Sequence, residues 1–577
     1  MVSRSPATSC RRRPPAAPAS TFMSASAEPA APDGRPRVNQ IGYRPGQPKL
    51  AVVADPPPEW TCLRLLDEAG RTVFTGPLVR RGFDPDSGEA VAHGDFSAVQ
   101  TPGRYRVQAG HRLSHPFTIG PDVYRDALRL AARWFYLQRS GADKADPLTG
   151  FSHRADHTAP ALVWGAPGET RDVSGGWWDA GDYGRYVPPA ATTLMSLLYA
   201  YRFNPGFFAD GSLSLPESGN GVPDLLDEMR WELRWLLKMQ RADGAVHHKA
   251  TCSGFPGMVG PDAVALPVYV YAVSTWATAQ FAGALAEASL AYRPWDEAFA
   301  ASLLEAAARA WRWLAAHPER VPAGGFRNPD ISGGPYSLPE RDESEYRLWA
   351  AASLLHATGD PAYRQAFDAL WRRPAARPVD GLYWWGGRVF AMQAYLDSAG
   401  GDPARQAEIR DVMRAQAGVI LGVIERTGYR VALTGAADEF GYDWGSNTLA
   451  LGYATYLLLV NAFAPDPRLT AGAAAQLDYV LGVNPPGKCY VSGLGADPVQ
   501  HPHHRPSAAL GRALPGMVTE GANAMNVGGD PVLQPLGDAG LPCAKRYADN
   551  AGSWATNEPT LYANAAFAAV AAWFAGA

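Results

Sequence analysis

Cysteine is scarce. Cys10, Cys62, Cys252, Cys489 and Cys543 are the only five in a chain of 577 residues, and no two form a C-x-x-C pair. That density excludes a disulfide scaffold and leaves buried thiols, one disulfide or a metal-bound thiol. Positive charge is not in excess either. Lys and Arg number 52 against 56 Asp and Glu, for a net charge of −4. The chain therefore lacks the basic field that nucleic acid demands and the polybasic runs that bind anionic lipid. Long apolar runs are missing too. The longest, Thr448 to Ala464, is interrupted by Asn461, Tyr453 and Tyr456 and reads as a packed helix, not a membrane span. No internal repeat of fixed period appears, which argues against a regular solenoid. With 18 Trp, 24 Tyr and 20 Phe, aromatic surface is abundant.

Composition divides the chain into three parts. Residues 1–36 are rich in Ala, Pro, Ser and Arg, lack periodicity, and are expected to be disordered. Arg11 to Arg13 resemble the charged start of a secretory signal, but no adequate apolar stretch follows, so the sequence alone points to the cytoplasm. Residues 37–119 hold short alternating runs such as Lys49 to Ala54, Leu63 to Asp67, Thr72 to Gly76 and Tyr105 to Ala109, punctuated by Gly and Pro. They predict a small antiparallel β-sandwich. Residues 120–577 are expected to be helical, with no further run of strands. Helical spacing is read at Asp122 to Gly141, Asn220 to Gln240, Tyr271 to Leu290, Trp295 to Ala316, Glu345 to Ala357, Asp360 to Trp371, Gln406 to Ile424, Thr448 to Phe463, Thr470 to Leu481 and Leu561 to Phe574.

The densest chemistry lies in Ser174 to Val187, SGGWWDAGDYGRYV. Asp179 and Asp182 stand three residues apart, beside Trp178 and Tyr183 and among glycines that let the backbone approach a ligand closely. Two carboxylates among flat aromatic surfaces suit a sugar-cleaving cleft, where rings stack on pyranose faces and a carboxylate activates water. Standing alone, this stretch is equally a glycine-rich loop with a buried Trp and a capping Asp. Two further blocks change that balance: PHHR at Pro502 to Arg505, and YADNAGSWATNEPTLYANA at Tyr547 to Ala565.

Together, in this order, the three blocks resemble glycoside hydrolase family 9, the inverting cellulases and their relatives. VNQIGYRPGQPKLAVV, from Val38, resembles the immunoglobulin-like domain that precedes the catalytic domain in one branch of that family. The resemblance implies an all-α (α/α)6-barrel catalytic domain behind a small all-β immunoglobulin-like sandwich. It implies Asp182 as general base, Asp179 as second holder of the same water, and Glu558 as general acid. Asp549 would position the Glu558 loop or bind sugar hydroxyls, and His503 and Arg505 would bind substrate. Trp178, Tyr183, Trp444 and Trp554 are the stacking candidates; Trp444 serves equally as core. Pro559 suits a first helical position, which would set Glu558 at a helix start, where the dipole lowers a carboxyl pKa. An acid catalyst needs the opposite shift. Cys489 and Asp497 depart from the family's usual residues.

No cofactor is required for such chemistry. A structural Ca2+ is implied at Asp342, Glu343 and Glu345, alongside a plain solvated acidic loop. The expected partner is a β-glucan or an oligosaccharide, and the resemblance implies a secreted or periplasmic enzyme where the missing signal points to the cytoplasm. Cellulose and cello-oligosaccharides lead; exo-acting trimming of cello- or glucosamine-oligosaccharides is the alternative. A non-catalytic sugar-binding protein is the reading from another class, and a helical-barrel lyase would use Tyr and His in place of the carboxylate pair.

Overall fold

The computed structural model describes residues 34–329, 342–374, 382–383, 386–435, 441–525 and 527–576. Nearly all of the segment expected to be disordered therefore lies outside the described residues. The first element group is an eight-stranded sheet: β1 Gly42–Tyr43, β2 Leu50–Ala54, β3 Cys62–Asp67, β4 Thr72–Asp84, β5 Glu89–Asp95, β6 Gly103–Ala109, β7 Arg112–Leu113 and β8 Phe117–Ile119. Its order is β1-β8-β6-β3-β4-β5-β2, with β7 on β6. All pairs are antiparallel except β1 with β8. Alternation sets the faces: Leu63 and Leu65 are buried while Arg64 between them is exposed. Those residues pack with Tyr43, Phe96, Val107 and Phe117 in a core of their own. The 13-residue β4 pairs with β3 along its first half and with β5 along its second, breaking register between Arg80 and Gly82.

Twelve long helices follow among the described residues: α1 Arg125–Leu137, α2 Val187–Phe203, α3 Asp224–Met239, α4 Thr275–Tyr292, α5 Glu297–Ala316, α6 Ser344–Thr358, α7 Pro361–Leu370, α8 Arg388–Asp397, α9 Pro403–Arg426, α10 Ser446–Phe463, α11 Pro467–Val480 and α12 Leu561–Gly576. α7, α9 and α11 each begin with Asp-Pro. Asp360, Asp402 and Asp466 accept N–H groups of the first turn, and the proline fills the first helical position.

The helices divide into two sets. α2, α4, α6, α8, α10 and α12 are buried nearly all round, whereas α3, α5, α7 and α9 bury one face. The inner helices pack in sequence: α2 on α4, α4 on α6, α6 on α8, then α10 on α12 and α12 back on α2. Small residues bring them close. A Cβ on Gly283 of α4 would lie 2.7 Å from the Trp349 ring of α6. Helical spacing in the sequence marks α4, α6, α10 and α12 but overlooks α2 and α8, which are buried just as fully.

One expectation is corrected. Strands do recur after the first sheet, as a five-stranded patch of two- to four-residue pieces: Ala161–Val163, Thr170–Arg171, Arg185–Tyr186, Lys249–Cys252 and Val268–Val270. They hold loops together at the end of the helices that carries the DAGD motif.

The sheet domain meets the helices through polar contacts as well as an apolar face. Asn39 Nδ2 donates to Asp478 at 2.8 Å, Gln40 Nε2 to the Gly487 carbonyl at 2.8 Å, and His93 Nε2 lies 2.7 Å from the Gly428 carbonyl. Lys545 pairs with Glu89 at 2.7 Å. Val52 and Val91 supply the apolar part, joining the core of the helices.

Candidate active site

The DAGD loop turns on Gly181. Its N–H donates to Glu558 Oε1 at 3.1 Å. Its carbonyl accepts from the Arg505 backbone at 2.9 Å and from Arg505 Nη1 at 3.0 Å. A Cβ built there would sit 1.8 Å from the His503 carbonyl oxygen. Glycine is required here because another backbone presses against it. All three sequence blocks meet at this one residue. Asp179 and Asp182 flank it and are 1% and 7% exposed. The loop is closed by Gly184, whose carbonyl accepts from the Asp179 N–H at 2.9 Å and whose N–H donates to Asp182 Oδ1 at 3.0 Å. The Asp179 carbonyl accepts the Leu561 N–H at 2.8 Å, tying the loop to the first residue of α12.

Glu558 does not sit at a helix start. A short helix, Trp554–Asn557, ends just before it, and Glu558 itself is extended at φ −80° and ψ 133°. Thr519 and Pro559 form a β-bridge, and α12 begins only at Leu561. Pairing across the bridge overrides the preference of Pro559 for a first helical position. The expected lowering by a helix dipole is therefore absent. Burial, reinforced by the charge of Asp182, pushes the Glu558 carboxyl well above the usual carboxylate range; Arg505 opposes this, while Glu520 and Asp179 add to it. A carboxyl group whose ionisation is disfavoured is what an acid catalyst needs.

His503 is 9% exposed. Its N–H donates to the Asn557 carbonyl at 2.9 Å, and its Nδ1 lies 2.7 Å from the Ala551 carbonyl. Burial lowers its pKa. With Nδ1 as the donor, Nε2 is left as an acceptor. Trp554 meets the His503 ring edge-on at 6.0 Å. Arg505 is a clamp as well as a cation: Nε donates to the Pro256 carbonyl at 2.9 Å, and the guanidinium lies 5.7 Å from the Phe255 ring centre.

Asp549 stands behind the PHHR block. It accepts the backbone N–H groups of Gln500 and His501 at 2.9 and 2.8 Å and pairs with Lys488 at 3.0 Å. Burial would raise its pKa, but Lys488 and those N–H donors reverse the sign and lower it. These contacts, with one from Asn557 Nδ2 at 3.3 Å, tie Asp549 to the loop that carries His503 and to the segment before Glu558.

The aromatic residues separate by burial. Trp178 is fully buried, with Nε1 donating to Asp156 at 3.1 Å and its ring packed 5.0 Å from Tyr183 and 4.9 Å from the Lys144 ammonium. Tyr183 is 2% exposed and its hydroxyl donates to the Val259 carbonyl at 2.5 Å. The Trp178 ring is covered by protein on its faces and Tyr183 reaches only the wall of a small cavity, which corrects their assignment as open stacking surfaces. Trp444 and Trp554 are half-buried on one small cluster with Leu533, Leu536 and Ala555, and keep open surface. Phe255, 58% exposed, lines a small cavity with Asp182, Tyr183, Gly184 and Cys252. Sequence reading missed it, since one Phe in a Gly-Pro loop carries no pattern. Gly181 is the other omission. Its motif marked it as flexible backbone, not as the junction of three blocks.

The three acids offered for Ca2+ do not converge. Asp342 accepts the Ser344 N–H and hydroxyl, Glu343 accepts the Thr275 hydroxyl, and Glu345 pairs with Arg388 at 2.8 Å. Each is spent on its own partner, and no group of three or more metal-type side chains occurs among the described residues. These residues do not fit a calcium ion. Residues 330–341 of the same loop lie outside the described residues. Cys62, Cys252, Cys489 and Cys543 are free thiols. Among the described residues no helix is long and apolar enough to cross a membrane.

Comparison with known proteins agrees with this site. Residues 32–114 match the cellulase N-terminal ig-like domain and residues 124–571 match glycosyl hydrolase family 9. A cellodextrinase of Butyrivibrio fibrisolvens is 31% identical over 91% of this chain and 97% of its own. Endoglucanase D of Acetivibrio thermocellus is 30% identical over 92% and 82%. Among solved structures, a metagenome-derived glycoside hydrolase family 9 endoglucanase superposes with a TM-score of 0.86 at 39% identity, covering 94% of this chain and 99% of that one. AaCel9A in complex with cellobiose-like isofagomine gives 0.85 at 31% identity, over 94% and 100%. With both domains matched in order and the DAGD, PHHR and NEP blocks gathered at one junction, the chain belongs to glycosyl hydrolase family 9 and is a glycosidase carrying an N-terminal immunoglobulin-like domain.

Proposed function

We propose that this glycosidase hydrolyses β-1,4-glucosidic bonds with inversion, on cello-oligosaccharides or β-glucan. Asp182 is the general base, Asp179 the second acceptor on the attacking water, and Glu558 the general acid. The observation that carries this reading is the Gly181 N–H on Glu558 Oε1, which brings the acid to the loop that holds both aspartates. Inversion requires carboxyl groups roughly 6.5–9.5 Å apart, with room between them for sugar and water. Burial and the charge of Asp182, with a smaller part from Asp179, disfavour ionisation of Glu558 and so favour the form that can donate a proton. His503 and Arg505 border the cleavage point and offer hydrogen-bonding groups to sugar hydroxyls. Phe255, Trp444 and Trp554 offer the exposed rings. The helices would close as a six-hairpin (α/α)6 barrel, with residues 37–119 as the separate sandwich and 120–577 as the catalytic domain.

A second reading, exo-acting removal of short units, is supported by the cellodextrinase, which this chain matches over almost its whole length. Digestion of cellohexaose, carboxymethyl cellulose and chitosan oligomers with product sizing separates the two. NMR of fresh product should show the α anomer first. An initial β anomer would mean a covalent intermediate and reject Asp182 as base.

A further inference from the structure

Glu520 lies in a block the motifs did not single out, LPGMVTEGANAM. It is fully buried, yet carries a carboxyl group. Its backbone N–H donates to the Glu558 carbonyl at 3.1 Å. The neighbouring Gly521 N–H donates to the Thr556 carbonyl at 2.9 Å, and Thr519 bridges Pro559. Residues 519–521 thus form a short rail along the segment that carries the acid. The rail is fixed from its other side by the start of α10, where the Asn447 N–H donates to the Glu520 carbonyl at 3.0 Å and Asn447 Nδ2 to the Thr519 carbonyl at 2.9 Å. The Glu520 side chain turns toward α12, where the Tyr562 hydroxyl donates to Oε1 at 3.1 Å.

Resting on the hydrolase reading above, we propose that Glu520 is a positioning residue for the general acid. Its backbone fixes the place of Glu558, and its carboxyl group, held by Tyr562, is a second titrating group behind the acid that helps it retain its proton. The groups facing Glu558 are Asp182 and Asp179 from the DAGD loop, Arg505 from the PHHR block, and Glu520 from the rail. Those facing Glu520 are Tyr562, Thr560 and Asp443. Burial pushes the Glu520 carboxyl up to about 8, against hydrogen bonds from Tyr562 and Thr560. Once Glu520 has ionised, its charge works against the ionisation of Glu558.

The test uses the whole chain and two substrates, cellohexaose and a dinitrophenyl cellobioside, across a pH series. Glu520→Gln keeps the shape and an acceptor for Tyr562 but removes the titration. Its kcat/KM on cellohexaose should lose its alkaline limb at a pH lower by about one unit, with KM little changed. Activity on the aryl glycoside, whose leaving group needs little protonation, should fall far less. The ratio between the two substrates is independent of how much of the preparation is folded. Glu520→Asp keeps the titrating group but shortens its reach to Tyr562. It should hold the wild-type alkaline limb while losing roughly tenfold in kcat on cellohexaose, less than the about 10²–10⁴-fold expected for outright loss of general acid catalysis. An unchanged alkaline limb in Glu520→Gln, or equal losses on both substrates in either variant, would overturn the proposal. Wild-type activity is read separately. Its absence on both substrates would overturn the hydrolase reading itself, whereas an active wild type with unaffected variants overturns only the role of Glu520.

Discussion

Replacing Gly181 with alanine places a methyl carbon 1.8 Å from the His503 carbonyl oxygen, 2.9 Å from its carbon and 3.1 Å from Glu558 Oε1. A relaxed carbon–oxygen contact lies at about 3.3–3.6 Å, so one loop must retreat by about 1.5 Å. Both obstructing atoms of His503 are backbone, and its N–H is already bound to Asn557. The loop therefore cannot yield by a side-chain rotation. Retreat stretches the two Arg505 bonds to the Gly181 carbonyl and the Gly181 bond to Glu558 together. Overpacking of this kind costs about 1–3 kcal/mol of stability, while a misplacement of about 1 Å at reacting groups costs about 10²-fold in rate. Gly181→Ala should then remain folded, with a modestly lower melting temperature, and lose at least about 10²-fold in kcat on cellohexaose. Initial-rate kinetics and a thermal melt on one preparation check both. A kcat within about threefold of wild type would refute the argument that the three blocks are pinned at this residue, since it allows less than 1 kcal/mol of lost positioning.

Asp182→Asn should abolish turnover with the fold intact; a rate within about tenfold of wild type would reject its role, because general base catalysis supplies about 10²–10⁴-fold. Glu558→Gln should fail on cello-oligosaccharides yet keep a larger fraction of activity on a dinitrophenyl glycoside, and equal losses on both would remove it as the acid. Asp478, buried at the domain seam, has its carboxyl pushed up to about 7 by burial against its hydrogen bond from Asn39. A carboxyl raised on folding keeps its proton while the unfolded chain releases one. Its contribution to stability is therefore lost as pH rises from the ordinary carboxylate range to about 7, by at most about 1.4 kcal/mol per pH unit. Asp478→Asn should flatten the fall of melting temperature between pH 5 and 7; the same slope as wild type would show that Asp478 does not titrate there. Deleting residues 37–119 strips the Asp478, Gly487 and Lys545 contacts and should lower the melting temperature or abolish soluble expression, whereas an unchanged melt would make the sheet domain an independent bead.

Legibility in the sequence followed the range of the interaction. DAGD, PHHR and NEP are local patterns, because the chemistry needs particular side chains at short spacing on one loop. Asp179, Asp182, His503, Arg505 and Glu558 could be nominated for that reason, and the fold brings them to one junction at Gly181. The outer helices were legible too, since a one-sided burial writes a stripe of period 3.6 into the sequence. Burial of a single ring is a property of everything around it. Trp178 and Trp444 look alike in sequence, yet one is sealed by Asp156, Tyr183 and Lys144 and the other keeps open surface. The acids at 342, 343 and 345 look like a ligand set until Ser344, Thr275 and Arg388 claim them one by one. Local preference put Glu558 at a helix start, and pairing of Pro559 with Thr519, forty residues away in the chain, moved the helix on to Leu561. The sequence by itself determined which groups are on offer for the proposed chemistry. Only the tertiary structure decided their surroundings: burial and the neighbouring charge of Asp182 raise the Glu558 carboxyl above the ordinary carboxylate range.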